Sequence, residues 1–290
     1  MKKLMITGTV AFIALIIYLS LFAEPAKKGI SRYTVNPAEN IKLDFQDAKI
    51  RVTGWNNDYI QISTDDYIMS SGMPIQIDQQ DNRICLKGFR QPQSKIFTYK
   101  LNTWILPEQF SSTSASLEVG IVDFEIKVPK NTPVMVTADY VKAFYCKLQS
   151  VESPTAIIRE CKLADGYTGK GKKAIVRDTD IGDAALFNNQ KLEIRDCDTK
   201  SLTVGVEKTT GVLEALLRDN KGKSLLIDAP DYSDLSILIR DSEYDSLTVN
   251  SSKNTGEINL LRSKIKNLDN PSGIEIKKIQ RMNMSGWSVQ

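Results

Sequence analysis

A chain of 290 residues that is 41% hydrophobic and 25% charged has the apolar supply for a real core and the length of one or two domains. Its 38 basic and 35 acidic residues leave a net charge of +3, too near balance for a dedicated nucleic-acid binder. Histidine is absent, which excludes Ser-His-Asp and Cys-His catalysis, His-ligated zinc and the usual switch near neutral pH.

Lys2 and Lys3 precede an uncharged run from Leu4 to Ala23. At 1.5 Å per residue such a run spans roughly 30 Å, the thickness of a hydrocarbon core. Leu21 stands where a signal-peptide cleavage site prefers a small residue, so the length favours a retained transmembrane helix over cleavage after Ala23. Both readings place everything after Glu24 outside the cytoplasm, because the lysines favour the inner side.

The segment 31–133 is rich in short alternating stretches. Ile41 to Phe45, Lys49 to Thr53, Tyr59 to Ser63, Pro74 to Asp78 and Arg83 to Lys87 predict strands, followed by Ile96 to Leu101, Leu117 to Ile121 and Phe124 to Val128. Turn signals at Gly54 to Asp58, Ser71-Gly72 and Gln80 to Asn82 separate them, and the polar stretch Pro107 to Ser116 predicts a long loop.

From residue 134 the sequence repeats. The copies are Ile157-Ile158-Arg159-Glu160-Cys161, Ile175-Val176-Arg177-Asp178-Thr179, Glu193-Ile194-Arg195-Asp196-Cys197, Leu216-Leu217-Arg218-Asp219-Asn220, Leu238-Ile239-Arg240-Asp241-Ser242 and Leu260-Leu261-Arg262-Ser263-Lys264. A weaker copy, Lys142 to Leu148, comes first, with Phe144 in the arginine place. A spacing near 20 residues marks a stack of similar units, and the period-two alternation of Leu213, Ala215 and Leu217, or of Leu235, Ile237 and Ile239, makes the units strands. Second strands follow at Leu202-Thr203-Val204, Leu225-Leu226-Ile227 and Leu247-Thr248-Val249. The column Ile158, Val176, Ile194, Leu217, Ile239, Leu261 is apolar throughout, as an inward ladder requires.

The pattern therefore predicts an all-β chain: a right-handed parallel β-helix, or β-solenoid, with an irregular β-rich first part and one N-terminal transmembrane helix ahead of it. The expected divisions are residues 1–30 for anchor or signal peptide and linker, 31–133 for the first part, 134–272 for the solenoid repeats and 273–290 for a tail that caps the last turn.

Two segments carry a family resemblance. One runs from Ile41-Lys42-Leu43-Asp44-Phe45 through Ile50-Arg51-Val52-Thr53-Gly54-Trp55 to Ile62; the other is Phe124-Glu125-Ile126-Lys127-Val128-Pro129, which leads straight into the repeats. Together they resemble bacterial adhesin domains, including the autotransporter-adhesin head domain, over roughly Ser31 to Asn270. The chain departs from that pattern in carrying Arg-Asp where Ser-Gly turns are common. The resemblance implies a β-solenoid in the bacterial cell envelope and supplies no catalytic residue.

Candidate chemistry is sparse. Arg159, Arg177, Arg195, Arg218, Arg240 and Arg262 form a column that could serve as a stripe for an anionic glycan or lipid headgroup. The acidic neighbours Glu160, Asp178, Asp196, Asp219 and Asp241 also fit a simpler role, a mixed-charge corner that keeps stacked strands soluble and in register. The groups Asp178, Asp180, Asp183 and Asp228, Asp231, Asp234 match no calcium loop. Gly166 to Lys173 fails the spacing of a phosphate loop and predicts a flexible basic turn. Cys146, Cys161 and Cys197 fall in one column of small buried side chains, in which Cys146 and Cys161 are close enough to bond and Cys161 and Cys197 are not. No catalytic, cofactor or metal residue is assigned. The function this predicts is a non-enzymatic extracytoplasmic scaffold or adhesion surface, with a membrane partner through Leu4 to Ala23 and a glycan or envelope protein as ligand. The alternatives are a carbohydrate-active β-helix enzyme and a self-assembling structural protein.

Overall fold

A computed structural model describes residues 28–34, 40–65, 76–80, 83–87, 122–205, 211–230, 234–251 and 256–279. Among these residues the chain is all-β, and no helix is long and apolar enough to cross a membrane. The run Leu4 to Ala23 lies outside the described residues, as do the expected strands Ile96 to Leu101 and Leu117 to Ile121 and the loop Pro107 to Ser116.

The first part contains β1 (Lys28–Thr34), β2 (Asn40–Trp55), β3 (Tyr59–Asp65), β4 (Gln76–Gln80), β5 (Arg83–Lys87) and β6 (Val122–Pro129). β2 fuses two expected strands into one of 16 residues. Its alternating residues Ile41, Leu43, Phe45, Ala48, Ile50 and Val52 are all at most 2% exposed, so both halves face one core. The halves nevertheless take different partners: Asn40 to Asp44 pair in parallel with β5, and Ala48 to Trp55 pair in parallel with β6. Two ladders pass through this one strand. Antiparallel strands finish this end, with β4 on β5 and β3 on β6, and β1 lying along β3. The turn after β2 is held by Trp55, whose Nε1 donates to the Tyr59 carbonyl at 2.9 Å while Lys127 Nζ sits 5.5 Å from the indole centroid.

The remaining strands are β7 (Pro133–Phe144), β8 (Lys147–Glu152), β9 (Thr155–Arg159), β10 (Lys162–Arg177), β11 (Asp180–Ile181), β12 (Ala185–Arg195) and β13 (Asp198–Val204). They continue as β14 (Val212–Arg218), β15 (Lys221–Asp228), β16 (Asp234–Arg240), β17 (Glu243–Asn250), β18 (Gly256–Leu261), β19 (Lys264–Asp269) and β20 (Glu275–Ile279). One parallel ladder runs β6, β2, β7, β9, β10, β12, β14, β16, β18, β20. The other runs β5, β2, β7, β8, β10, β11, β13, β15, β17, β19. β12 spans both ladders, pairing with β13 through Ala185 to Phe187 and with β14 through Lys191 to Arg195; from β13 onward the chain alternates between them, so each strand pairs with the next but one. The segment Glu275–Ile279, expected within a capping tail, pairs in parallel with β18.

Burial explains the choice of strand. Ile158, Val176, Ile194, Leu217 and Ile239 are wholly buried, and so are Ile227 and Val249 on the second ladder. Each inward column is an unbroken apolar row, and none of its members could be hidden by its own strand alone.

The segment Gly166 to Lys173 departs from the flexible turn expected of it. Gly166 turns the chain at φ 68°, but Thr168 to Gly171 pair in register with Leu186 to Asn189, inside the 16-residue strand β10. The glycines serve close packing. A Cβ on Gly169 would come 3.1 Å from the Phe187 ring, and one on Gly171 would lie 1.7 Å from the Ser153 carbonyl oxygen.

Candidate functional site

The repeated copies meet at one corner of the structure, where the first ladder hands the chain to the second. Arg159, Arg177, Arg195, Arg218 and Arg240 are in register on successive strands, as the sequence predicts. Phe144 takes the same place on β7. Their side chains point outward: Arg159 is exposed, and the Arg177, Arg195, Arg218 and Arg240 side chains are 22–38% accessible.

The next residue on each strand makes the corner. Tyr145, Glu160, Asp178, Asp196, Asp219, Asp241 and Arg262 all have φ between 49° and 57°, the left-handed region in which aspartate is better tolerated than most side chains. This conformation turns each backbone N–H toward the carbonyl of the arginine-column residue one strand on. Glu160 donates to Arg177, Asp178 to Arg195, Asp196 to Arg218, Asp219 to Arg240 and Asp241 to Leu261, all at 2.9–3.2 Å. The acidic column therefore suits the conformation as well as the charge, although Tyr145 and Arg262 take the same corner.

The residue after the corner turns inward. Cys146, Cys161, Thr179, Cys197, Asn220 and Ser242 are each no more than 6% exposed, and Ser263 follows them. Cys161, Thr179, Cys197, Ser242 and Ser263 each donate to the carbonyl two residues back, at 2.7–3.2 Å. Further along, the side chains also bridge strands. Cys197 N–H donates to Asn220 Oδ1 at 3.0 Å, Asn220 N–H to Ser242 Oγ at 3.2 Å, and Ser242 N–H to Ser263 Oγ at 3.2 Å. Small polar side chains at this column satisfy backbone groups that the corner leaves without strand partners. Burial pushes the Cys197 thiol up to about 12.

Arg262 does not continue the arginine column. Leu261 pairs with Arg240, and Leu260 pairs with Ile239, so the last copy is displaced by one residue from the alignment on its arginine. The inward column therefore ends on Leu260 rather than Leu261. The displacement keeps Ser263 in the small polar column, where its single hydroxyl proton is within reach of the carbonyls of Leu261 and Ile239, at 3.1 and 3.0 Å. It also puts Arg262 in the acidic column, facing Asp241. Arg262 Nε donates to Asp241 Oδ1 at 2.7 Å and Nη2 to Oδ2 at 2.6 Å, a two-pronged pair. Arg240 Nε reaches the same carboxylate at 3.0 Å. The hydrogen bonds from Arg262, helped by Arg240, hold the Asp241 carboxyl below its ordinary range.

One residue at the head of a copy also matters to the column. Glu193 stands two places before Arg195, points to the outer face and is only 9% exposed. Its Oε1 accepts from Arg177 Nη2 at 2.6 Å and lies 2.7 Å from Arg195 Nε. Arg218 closes on its own neighbour, Asp219, at 2.7 Å. From Arg177 to Arg240 the column is a run of arginines each met by a carboxylate, on its own strand or the next. Glu193 stands where the other copies carry Ile or Leu, but the sequence alone does not show that it reaches Arg177 on the neighbouring strand as well as Arg195 on its own.

Among the described residues no group of three His, Cys, Asp or Glu side chains converges as a metal site. Asp178, Asp180 and Asp183 follow separate paths. Asp180 pairs with Lys162 at 3.7 Å, and Asp183 accepts from the Ser201 hydroxyl and from Ala184 N–H. Asp231 lies outside the described residues. A shallow dent of about 120 Å³ opens on the outer face of β10, β12, β14 and β16, bordered by Lys173, Lys191, Glu193, Glu214, Leu216 and Ser236.

No family model matches the sequence, and no curated protein matches it. Candidate adhesins are among its structural neighbours. One, from Parabacteroides merdae, has a TM-score of 0.36 at 12% identity and covers 87% of this chain and 97% of that one. A second, from Bacteroides fragilis, has the same values. A cell adhesion protein from Clostridium sporogenes covers 85% of this chain and 100% of its own, with a TM-score of 0.27 and 14% identity. These neighbours agree in kind with the resemblance read from the sequence. At such TM-scores the likeness carries no argument about ligand or activity.

Proposed function

We propose that this chain is a non-enzymatic protein of the bacterial cell envelope whose β-part winds as a right-handed parallel solenoid and serves as a scaffold or adhesion surface. The observation that carries this reading is the regular corner. Five arginines in register, each followed in sequence by an acidic corner residue, form an edge that presents one guanidinium on every strand. Parallel strands repeat at about 4.8 Å, so a linear partner with evenly spaced groups meets the same contacts several times over. Paired charges of this kind favour orientation and selectivity over raw affinity. The arginine edge, from Arg159 to Arg240, is the face assigned to an anionic glycan or an acidic envelope protein. Leu4 to Ala23 holds the chain to the membrane, with the β-part outside.

The test uses the full-length tagged chain. Cell fractionation and protease treatment of intact spheroplasts should find it in the membrane fraction with its β-part cleaved from outside. An array of anionic and neutral glycans and envelope proteins should then show saturable binding that weakens as salt rises. Replacing Arg177, Arg195 and Arg218 together with glutamine should weaken that binding at least tenfold. Turnover of a glycan, or a chain wholly in the cytosolic fraction, would overturn the reading.

A further inference from the structure

The column behind the corner holds two thiols in contact. Cys146 follows β7 and Cys161 follows β9, on strands paired in parallel from Tyr140 to Phe144 and Thr155 to Arg159. Their sulfurs are 3.7 Å apart, and both residues are buried. The backbone is already fixed around them: Lys162 N–H donates to the Cys146 carbonyl at 2.9 Å, and Tyr145 N–H to the Arg159 carbonyl at 3.4 Å. Neighbouring strands lie about 4.8 Å apart, inside the Cα separation a disulfide accepts. The sulfurs have to close from 3.7 Å to bond length within this backbone frame.

We propose that Cys146 and Cys161 are an oxidation site, forming a disulfide that staples two adjacent strands of the stack. The third thiol of the column cannot join. Thr179 stands between Cys161 and Cys197, which puts those sulfurs two strands apart, about 9.6 Å of ladder. Above the pair, Tyr145 Oη donates to Glu160 Oε1 at 3.2 Å, so the two corner residues are also tied across the same strands.

The oxidant is a small disulfide such as oxidised glutathione. Cys161, the more exposed of the two at 6% against 2%, meets the oxidant first, and the hydrogen bond from its partner favours its thiolate. The Cys161 thiolate attacks one sulfur of the small disulfide, forms a mixed disulfide and expels one thiolate. Cys146 then loses its proton and attacks Cys161 Sγ, which expels the second. Two protein S–H bonds and one external S–S bond become one S–S bond between strands and two external thiols; the protein loses two electrons and the small disulfide gains them. The site goes beyond the adhesion reading, and its chemistry is tested on purified protein, apart from any location in the cell.

The experiment refolds the purified full-length chain from urea in mild detergent, in a buffer of oxidised and reduced glutathione. The product is then alkylated under denaturing conditions and mapped by mass spectrometry. Before alkylation the expected product is 2 Da lighter than the reduced chain; after it, peptides containing Cys146 and Cys161 are linked to each other and Cys197 is alkylated. Oxidised protein should melt roughly 5–10 °C above the same sample reduced with dithiothreitol. Cys197→Ser should keep this shift, and Cys146→Ser should lose it. Serine already fills this column at Ser242 and Ser263, so that variant retains the local chemistry. Both thiols alkylated after oxidative refolding, a glutathione adduct left on Cys161, or a bond made to Cys85 or Cys197 would each overturn the proposal.

Discussion

Gly171→Ala should destabilise the fold by about 3 kcal/mol or more, among the largest effects of any single methyl group in this chain. Two costs coincide at this position. Its φ of 154° is disfavoured for an L residue, and an added Cβ would lie 1.7 Å from the Ser153 oxygen and 2.7 Å from the Ser153 carbonyl carbon. The obstacle is backbone, and it is held in place. Ser153 N–H donates to the Lys170 carbonyl and Lys173 N–H to the Pro154 carbonyl, so relief requires breaking strand contacts on both sides of the site. Gly166→Ala is the internal comparison. Its φ is 68°, and nothing lies within 4 Å of the added carbon, so only the left-handed backbone resists it, at about 1 kcal/mol. Urea unfolding of both variants decides the matter; equal losses would show that the close approach of Gly171 to Ser153 is not a constraint.

The second large effect is expected at Asn220. The residue is 1% exposed and works on both sides at once: its Oδ1 accepts from Cys197 N–H, and its Nδ2 donates to the Ile194 carbonyl, both at 3.0 Å. Asn220→Leu fills a similar volume and orphans one backbone donor and one acceptor in a dry corner, a loss of about 2–4 kcal/mol. Asn220→Ser should cost about 1 kcal/mol or less. The next strand shows why, because Ser242 Oγ accepts from the backbone N–H of the residue in the column before it. A leucine variant as stable as the serine variant would contradict the role given to this column.

The repeat was legible because each copy answers the same three demands in the same order. One residue faces out at the edge, one adopts the left-handed corner, and one small polar residue turns in to satisfy the backbone. Arg-Asp-Cys, Arg-Asp-Thr and Arg-Asp-Asn are variants of that sentence, and five arginines fall in register as read. The last copy was misaligned because arginine is its most visible letter and the least constrained of the three. Ser263, which must reach the Leu261 and Ile239 carbonyls, was the better anchor, and it displaces Arg262 into contact with Asp241.

Other features were hidden for physical reasons. β2 reads as two strands because its partners change in the middle, and its register against β7 shifts between Phe45 and Lys49. The Gly-Lys segment reads as a flexible turn because composition alone does not tell a glycine that bends the chain from one that admits a neighbour. Glu193 looks like an ordinary surface acid until its strand, which also carries Arg195, is laid beside that of Arg177. The two parallel ladders carry over from the alternation in the sequence, whereas contacts between side chains on different strands do not.

The central claim is that successive copies stack as parallel strands at a fixed spacing, whatever the number of residues between them. Thr155, Glu214, Glu257 and Glu275 lie in one outward column, with Lys173, Lys191 and Ser236 as the intervening members. Pulsed electron resonance between spin labels at position 155 and each of the other three, in a chain whose native cysteines are replaced by serine, measures that column directly. Stacking predicts separations rising in proportion to three, five and six strand steps, about 14, 24 and 29 Å. Separations that follow the number of intervening residues, or that fail to rise in that order, would contradict it.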